Sequence, residues 1–69
     1  MEYSELFRQR IHFLCNQRHI SVNKLATMSG VKQSTLDNIV RGITKDPRAS
    51  TVHKISNAFN MTLAEFLDF

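Results

Sequence analysis

The sequence offers no covalent means of stabilising its core. Cys15 is the only cysteine among the 69 residues, so no internal disulfide can form, as expected in a reducing compartment. A chain of this length buries only about 60% of the surface that its unfolded form exposes. We therefore expect a single domain over residues 1–69, with no separate ligand-sensing or oligomerisation domain and no small-molecule ligand.

Long apolar stretches are missing as well. The longest uninterrupted apolar run covers residues 13–15, whereas a membrane-spanning helix needs about 20 such residues. No signal-peptide pattern opens the sequence. These absences predict a soluble protein of the cytoplasm that does not contact a membrane.

The residue patterns that support catalysis are also absent. No glycine-rich loop could cradle a phosphate, and no nucleophile has a plausible base and orienting partner. A domain of this size has hardly any space for a substrate pocket. We therefore expect neither an enzyme nor a bound cofactor.

Basic charge is concentrated in the middle of the chain. All nine lysines and arginines lie between Arg8 and Lys54, where only Asp37 and Asp46 oppose them, so this block carries a net charge of +7. The two flanks carry −4, and the net charge of the whole chain is +3. Such a block can simply form a solvated surface, but its asymmetry also suits a polyanion that approaches from one side.

The spacing of apolar residues predicts an all-α fold of five helices. The first and longest helix places Tyr3, Phe7, Ile11, Leu14 and Cys15 on one face. No segment alternates convincingly as a strand, and the only long irregular connection covers residues 42–49. The predicted helices cover residues 4–18, 22–29, 33–41, 50–59 and 63–67.

The predicted helix starts share a local pattern, in which an apolar residue before the cap is followed by another five positions later. Such pairs form hydrophobic staples, which fix the angle at which the chain enters a helix. Ser21 and Thr62 provide side-chain oxygens at two caps, and Glu65 completes a capping box with Thr62. The staple pairs are Ile20 with Leu25, Val31 with Leu36, and Met61 with Phe66.

Residues 21–41 form two short amphipathic segments separated by Gly30, which is the layout of a DNA-binding helix-turn-helix. Gly30 stands where the chain needs a left-handed backbone, and Ala26 keeps the inner face small enough for the helices to cross closely. Leu36 and Ile39 repeat at helical spacing, which leaves the polar residues of the second segment facing outward.

This arrangement resembles the lambda-repressor-like, Cro/XRE-type helix-turn-helix family, and the resemblance covers nearly all 69 residues. Downstream of the helix-turn-helix it rests on three features. Arg41 and Gly42 end the third helix, Pro47 precedes the fourth, and residues 61–67 resemble the family's closing helix.

The resemblance implies a compact five-helix domain that binds double-stranded DNA through the third helix. It also implies a bacterial or phage-type transcriptional regulator, more often a repressor than an activator, located in the cytoplasm and associated with the nucleoid. Two positions depart from the family's pattern. Val22 replaces a polar residue that often contacts a phosphate, and Lys32 replaces the usual Ser or Thr at a helix cap.

The groove-facing side of the predicted third helix carries the candidates for base contacts. Gln33 and Asn38 each present a paired donor and acceptor that can bind an adenine edge in bidentate fashion. Asp37 repels phosphates, but it can accept from a cytosine amine, or it can instead anchor Gln33 or Arg41. These side chains could also simply face solvent. The candidates are Lys32, Gln33, Ser34, Asp37 and Asn38.

Candidates for contacts with the DNA backbone flank this helix. They lie near the start of the second helix, on the third helix, and in the connection that follows it, where Gly42 lets the backbone approach closely. Each cation could instead be an ordinary solvated charge. The candidates are Asn23, Lys24, Thr35, Arg41, Thr44, Lys45 and Arg48.

A metal site on the first helix is the weaker hypothesis. His12, Cys15 and His19 follow one another at helical spacing and could share one side of the helix. A structural zinc site normally has four ligands, however, and Cys15 is better explained as a small buried apolar residue and His19 as a helix-terminal partner. We therefore expect no bound metal.

A protein-binding module, such as an antitoxin-like or regulator-partner subunit, is the alternative function. Exposed apolar area would favour it, and Leu6, Phe13 and Phe69 are the candidates. In the simpler interpretation these side chains pack where the fifth helix returns against the first.

Two copies are expected to bind one DNA site, because a single short helix contacts too few base pairs to distinguish its site within a genome. The first helix, the connection before the fourth helix, or residues 66–69 could provide the contact between the copies.

Overall fold

The computed structural model describes residues 3–68, with side chains from residue 5 onwards. This part of the chain is all-α, as predicted, and contains no strand. None of its helices is long and apolar enough to cross a membrane. The five helices are α1 (Tyr3–Arg18), α2 (Val22–Ser29), α3 (Gln33–Val40), α4 (Ala49–Ala58) and α5 (Leu63–Phe66).

Each predicted helix boundary lies within one residue of the observed one. The predictions extend α3, α4 and α5 one residue too far, to Arg41, Phe59 and Leu67. These residues are C-caps whose ψ angles are −8°, 5° and 3°. A ψ angle near zero turns the chain out of the helix, and apolar spacing alone does not detect this turn.

Three of the four junctions between helices share one three-residue pattern, at residues 19–21, 30–32 and 60–62. The first residue is left-handed, with φ angles of 55° at His19, 75° at Gly30 and 58° at Asn60. The second is an apolar residue that packs on the core, and the third is the N-cap of the next helix. The sequence predicted the left-handed residue only at Gly30, because His and Asn adopt this conformation less readily.

At two of these junctions the apolar residue both ends one helix and begins the next. The amide of Ile20 donates to the carbonyl of Cys15 at 3.0 Å, and the amide of Met61 donates to the carbonyl of Ser56 at 3.0 Å. These are the longer bonds of Schellman motifs, which satisfy the last carbonyls of α1 and α4. Ile20 and Met61 also stand immediately before the N-caps of α2 and α5, so one anchored side chain sets the angle of both helices.

The core is formed by apolar side chains from all five helices. The residues predicted for the apolar faces of α1, α2 and α3 are buried as expected, apart from Tyr3, whose side chain is not described. Among the described residues Ser56 is the buried polar residue, and its hydroxyl donates to the carbonyl of His53 at 2.8 Å. The buried apolar residues are Phe7, Ile11, Leu14, Cys15, Leu25, Ala26, Val31, Leu36, Ile39, Val52, Ile55, Phe59 and Phe66.

The short helix α5 is fixed to the body of the fold at Phe66. Its ring meets Phe7 edge-on at a centroid distance of 5.3 Å and stacks on Phe59 at 6.2 Å. Arg10 of α1 donates from Nε to the carbonyl of Phe66 at 3.0 Å and from Nη2 to the carbonyl of Glu65 at 3.1 Å. An isolated helix of four residues would not form in water, so these contacts hold α5 in place.

The prediction that Phe13 packs between α1 and α5 is wrong, because this side chain is 55% exposed. Leu6, its companion on the flank of α1, is half-buried. The side chain of Tyr3 and the whole of Phe69 lie outside the described residues.

The capping box at the start of α5 is confirmed. The hydroxyl of Thr62 accepts from the amide of Glu65 at 3.1 Å, and the carboxylate of Glu65 accepts from the amide of Thr62 at 2.9 Å. The hydrogen bond to the Thr62 amide holds the pKa of Glu65 below its ordinary value, because it stabilises the charged form.

We predict that Thr62→Ala lowers the free energy of unfolding by about 1 kcal/mol, because a first-turn amide loses its partner. Thermal or urea unfolding measures the loss. Thr27→Ala is the matched control, since Thr27 is exposed and its hydroxyl bonds only to the carbonyl of Asn23 inside α2. Wild-type stability of Thr62→Ala would show that the cap does not hold α5.

Candidate nucleic-acid interface

Helix α3 separates its residues into a buried side and a polar side. Leu36 and Ile39 are buried, and α3 packs against α1 and α2. The predicted base-contact residues lie elsewhere on the helix. Lys32, Gln33, Ser34 and Asn38 are exposed, and Asp37 is half-buried. The candidates for base contacts therefore form one accessible polar stripe, defined by these five residues.

The turn before α3 needs glycine because of its backbone conformation and not because a side chain would clash there. At Gly30, where φ is 75°, a β-carbon would meet no atom within 4 Å, so the left-handed conformation itself explains the glycine. Val31 follows and is 8% exposed. Ser21 caps the preceding helix, its hydroxyl accepting from the amide of Lys24 at 3.0 Å. The position of the polar stripe is thereby set relative to α2.

The C-terminal end of α3 is closed by a Schellman motif. Gly42 has a φ angle of 79°. Its amide donates to the carbonyl of Ile39 at 3.1 Å, and the amide of Ile43 donates to the carbonyl of Asn38 at 2.9 Å. A β-carbon at Gly42 would lie 3.5 Å from Nη1 of Arg8. Arg8 thus brings a positive charge from α1 to the negative end of α3.

Gln33 and Asp37 form a hydrogen bond along the polar stripe, with Nε2 of Gln33 donating to Oδ1 of Asp37 at 2.8 Å. The sequence left open whether Asp37 anchors Gln33 or Arg41, and the hydrogen bond in the structure is the one to Gln33. An ionised carboxylate can only accept, so it fixes which end of the Gln33 amide faces it. The second N–H and the carbonyl oxygen of Gln33 take no part in this hydrogen bond, and a donor and acceptor paired in this way have the pattern that can bind an adenine edge.

The structure brings together some of the candidates for backbone contacts. Thr35, Thr44 and Arg48 line one groove of about 230 Å³ between α3, the connection and α4. Thr35 and Thr44 are half-buried, and Arg48 is exposed at the N-cap of α4. These three residues come from separate segments, so only the tertiary fold makes them neighbours.

The remaining candidates lie outside that groove. Asn23 and Lys24 are exposed in the first turn of α2, and Arg41 is the exposed C-cap of α3. Lys45 is exposed in the connection. Asn23, Lys24 and Arg41 thus lie at the ends of α2 and α3, and Lys45 lies in the connection between α3 and α4.

Sequence reasoning did not single out Lys54 or the hydroxyls of Ser50 and Thr51. These residues of α4 line a further groove together with Lys32 and Arg48. The only feature of the sequence that pointed to Lys54 was its place in the basic block. No local pattern shows that the start of α4 lies beside the turn before α3.

The three residues that were considered as metal ligands are not grouped in the structure. His12 and His19 are exposed, whereas Cys15 is 5% exposed and buried among apolar side chains. Burial raises the pKa of the Cys15 thiol, which disfavours the thiolate that a metal would need. Within the described residues, no three His, Cys, Asp or Glu side chains are grouped to hold a metal ion.

Comparison with protein families agrees with this geometry. A family model described as helix-turn-helix matches residues 11–66, which include half of α1 and all of α2 to α5. No curated protein and no solved structure matches the chain. The matched range contains the polar stripe, the turn before it and all but one of the residues that line the core. The chain therefore belongs to the lambda-repressor-like, XRE-type helix-turn-helix family of DNA-binding regulators.

Proposed function

We propose that this protein binds double-stranded DNA sequence-specifically, with α3 in the major groove, and acts as a bacterial or phage-type transcriptional repressor. Its site of action would be the nucleoid, in the cytoplasm, and the whole of residues 1–69 would serve as one DNA-binding domain. The observation that carries the proposal is the polar stripe on α3, in which four of the five residues are exposed and which lies between two left-handed glycines, Gly30 and Gly42.

Gln33 and Asn38 are the proposed adenine-binding residues, since each carries an amide that both donates and accepts. Asp37 acts through Gln33, because its hydrogen bond orients the Gln33 amide before DNA arrives. Lys32 and Ser34, at the N-terminal end of the stripe, are proposed to contact neighbouring base edges.

The backbone contacts proposed for the flanking residues hold the domain in register on the duplex. Arg48, Thr35 and Thr44 would contact one stretch of backbone, since they share a groove. The second stretch would lie at the start of α2. The residues proposed there, at the end of α3 and in the connection are Asn23, Lys24, Arg41 and Lys45.

A protein-binding function is the second candidate, and the exposure of single apolar side chains favours it. Phe13 is 55% exposed and Ile43 is 62% exposed. Isolated exposed apolar residues are common in soluble proteins, so they weigh less than the polar stripe.

Selection from a random duplex library at two salt concentrations tests the proposal. Gln33→Ala and Asn38→Ala should each cost about 1 to 3 kcal/mol at one base pair and relax preference there. Arg48→Ala and Lys45→Ala are the matched comparison, and they should weaken all sequences alike while reducing the salt dependence. If the wild-type protein enriches no motif, DNA readout is wrong and the protein-binding function gains support.

Two substitutions of Asp37 separate the effect of its charge from the effect of its hydrogen bond to Gln33. Asp37→Asn and Asp37→Ala both remove a negative charge, so both should raise affinity for non-specific duplex DNA. Only Asp37→Ala also removes the acceptor that orients Gln33, so only this variant should lose preference at the base pair that Gln33 contacts. Equal base preference in the two variants, measured by competition binding, would show that Asp37 does not position Gln33.

Two copies are proposed to bind one DNA site, with inverted half-sites whose centres lie about 10 to 10.5 base pairs apart. We predict a monomer or weak dimer in sedimentation at micromolar concentration, and cooperative two-to-one binding on the selected duplex. A stable one-to-one complex on an asymmetric site would contradict the stoichiometry and leave DNA binding intact.

A further inference from the structure

The groove between the turn before α3 and the first half of α4 is lined by charges of one sign, and Lys54, Ser50 and Thr51 in its lining take no part in the contacts proposed above. Its volume is about 390 Å³. No acidic residue lines it, so all its charged side chains have the same sign. Three cations and three hydroxyl groups line it: Lys32, Arg48, Lys54, Thr35, Ser50 and Thr51.

The three cations of this groove lack anionic partners. Lys32, Arg48 and Lys54 are exposed, and none of them forms an ion pair with a residue in the range 5–68. Like charges that line one concave surface raise its potential and attract an anion from solution. The neighbouring hydroxyls of Ser50 and Thr51 can donate hydrogen bonds to such an anion.

Two helix ends add to the positive potential of the same groove. The N-cap residues of α3 and α4 are Lys32 and Arg48, neither of which forms a side-chain cap hydrogen bond, and neither helix has an acidic residue in its first turn. Helices α2 and α5 do have side-chain caps, from Ser21 and Thr62. A cation at a helix N-terminus opposes the macrodipole, so each of these starts carries an unfavourable charge that an oxyanion would neutralise.

We propose that this groove binds a phosphate oxyanion and that Lys54, on α4, is one of its binding residues. The inference rests on the proposed function, because Lys32 and Arg48 at the groove are also candidates for contacts with DNA. A phosphate of the DNA backbone is therefore the expected ligand, and Lys54 extends the contact surface from the helix-turn-helix onto α4. A free phosphorylated compound, such as a nucleotide, presents the same chemistry, and the second experiment distinguishes it.

The first experiment compares the salt dependence of duplex binding in Lys54→Gln, Lys54→Arg and Arg18→Gln. Arg18 is the matched control, because its guanidinium lies over the ring of Phe59 at the opposite end of α4, 5.8 Å from the ring centroid. Lys54→Gln should reduce the slope of log affinity against log salt by about 0.9 per bound copy. Base preference should not change. Lys54→Arg should keep the wild-type slope, and so should Arg18→Gln.

The second experiment titrates inorganic phosphate, and then a nucleoside monophosphate, into the protein without DNA. Chloride at equal ionic strength is the control, and the amide resonances of Ser50 and Thr51 are followed by NMR. Phosphate should shift these resonances weakly in the wild-type protein and less in Lys54→Gln. Unfolding curves recorded for each variant establish that it is folded.

The outcomes separate the groove from the proposed function. If the wild-type protein binds duplex DNA but Lys54→Gln keeps its salt slope, the groove does not contact the DNA backbone and that assignment is overturned. Saturable nucleotide binding with an unchanged slope would then assign the groove to a free phosphorylated ligand. If neither anion shifts the amides and the slope is unchanged, phosphate binding itself is wrong. If the wild-type protein selects no DNA sequence but phosphate still shifts the two amide resonances, the proposed function is refuted and phosphate binding by the groove is supported.

Discussion

The junctions at residues 19–21, 30–32 and 60–62 set the direction of the helices, and both the core and the polar stripe proposed to face DNA depend on them. Each passes through a left-handed residue, anchors an apolar side chain on the core and ends at the N-cap of the next helix. With the side chain anchored and the backbone hydrogen-bonded, the next helix can enter at only one angle. Helix α3 has eight residues and would be unstable alone, so Gly30 and Val31 determine where its polar stripe points.

The starts of helices α2 to α5 differ in a way that bears on both helix stability and the proposed anion binding. Ser21 and Thr62 satisfy first-turn amides of α2 and α5. The corresponding positions of α3 and α4 are Lys32 and Arg48, which satisfy none. A cation there is unfavourable in the free protein, and a phosphate placed nearby would reverse the effect. The departure of Lys32 from the family's cap is therefore consistent with a surface organised around an anion.

Helix α5 closes the core through noncovalent contacts alone, because the single cysteine is free and forms no disulfide. The helix has only four residues, so it is itself held by those contacts. Phe66 lies between Phe7 and Phe59, and Arg10 bonds to the carbonyls that end the helix. The contacts of α5 with Phe7 and Arg10 join residues more than fifty positions apart. The ends of the chain thus stabilise the core, while the segment from α2 to the start of α4 carries the proposed DNA contacts.

The sequence by itself determined the five helices, the capping box at Thr62, the turn at Gly30 and the polar stripe on α3, because periodicity, caps and glycine conformation are local properties. The sequence left several roles open for Asp37. Its hydrogen bond to Gln33 spans a single helical turn, yet it was identified only in the structure. The tertiary structure decided three further features: the exposure of Phe13, the hydrogen bonds from Arg10 to α5, and the groove that Lys54 lines together with Lys32 and Arg48. Each depends on how separate helices pack, and the spacing of residues within one helix does not contain that information.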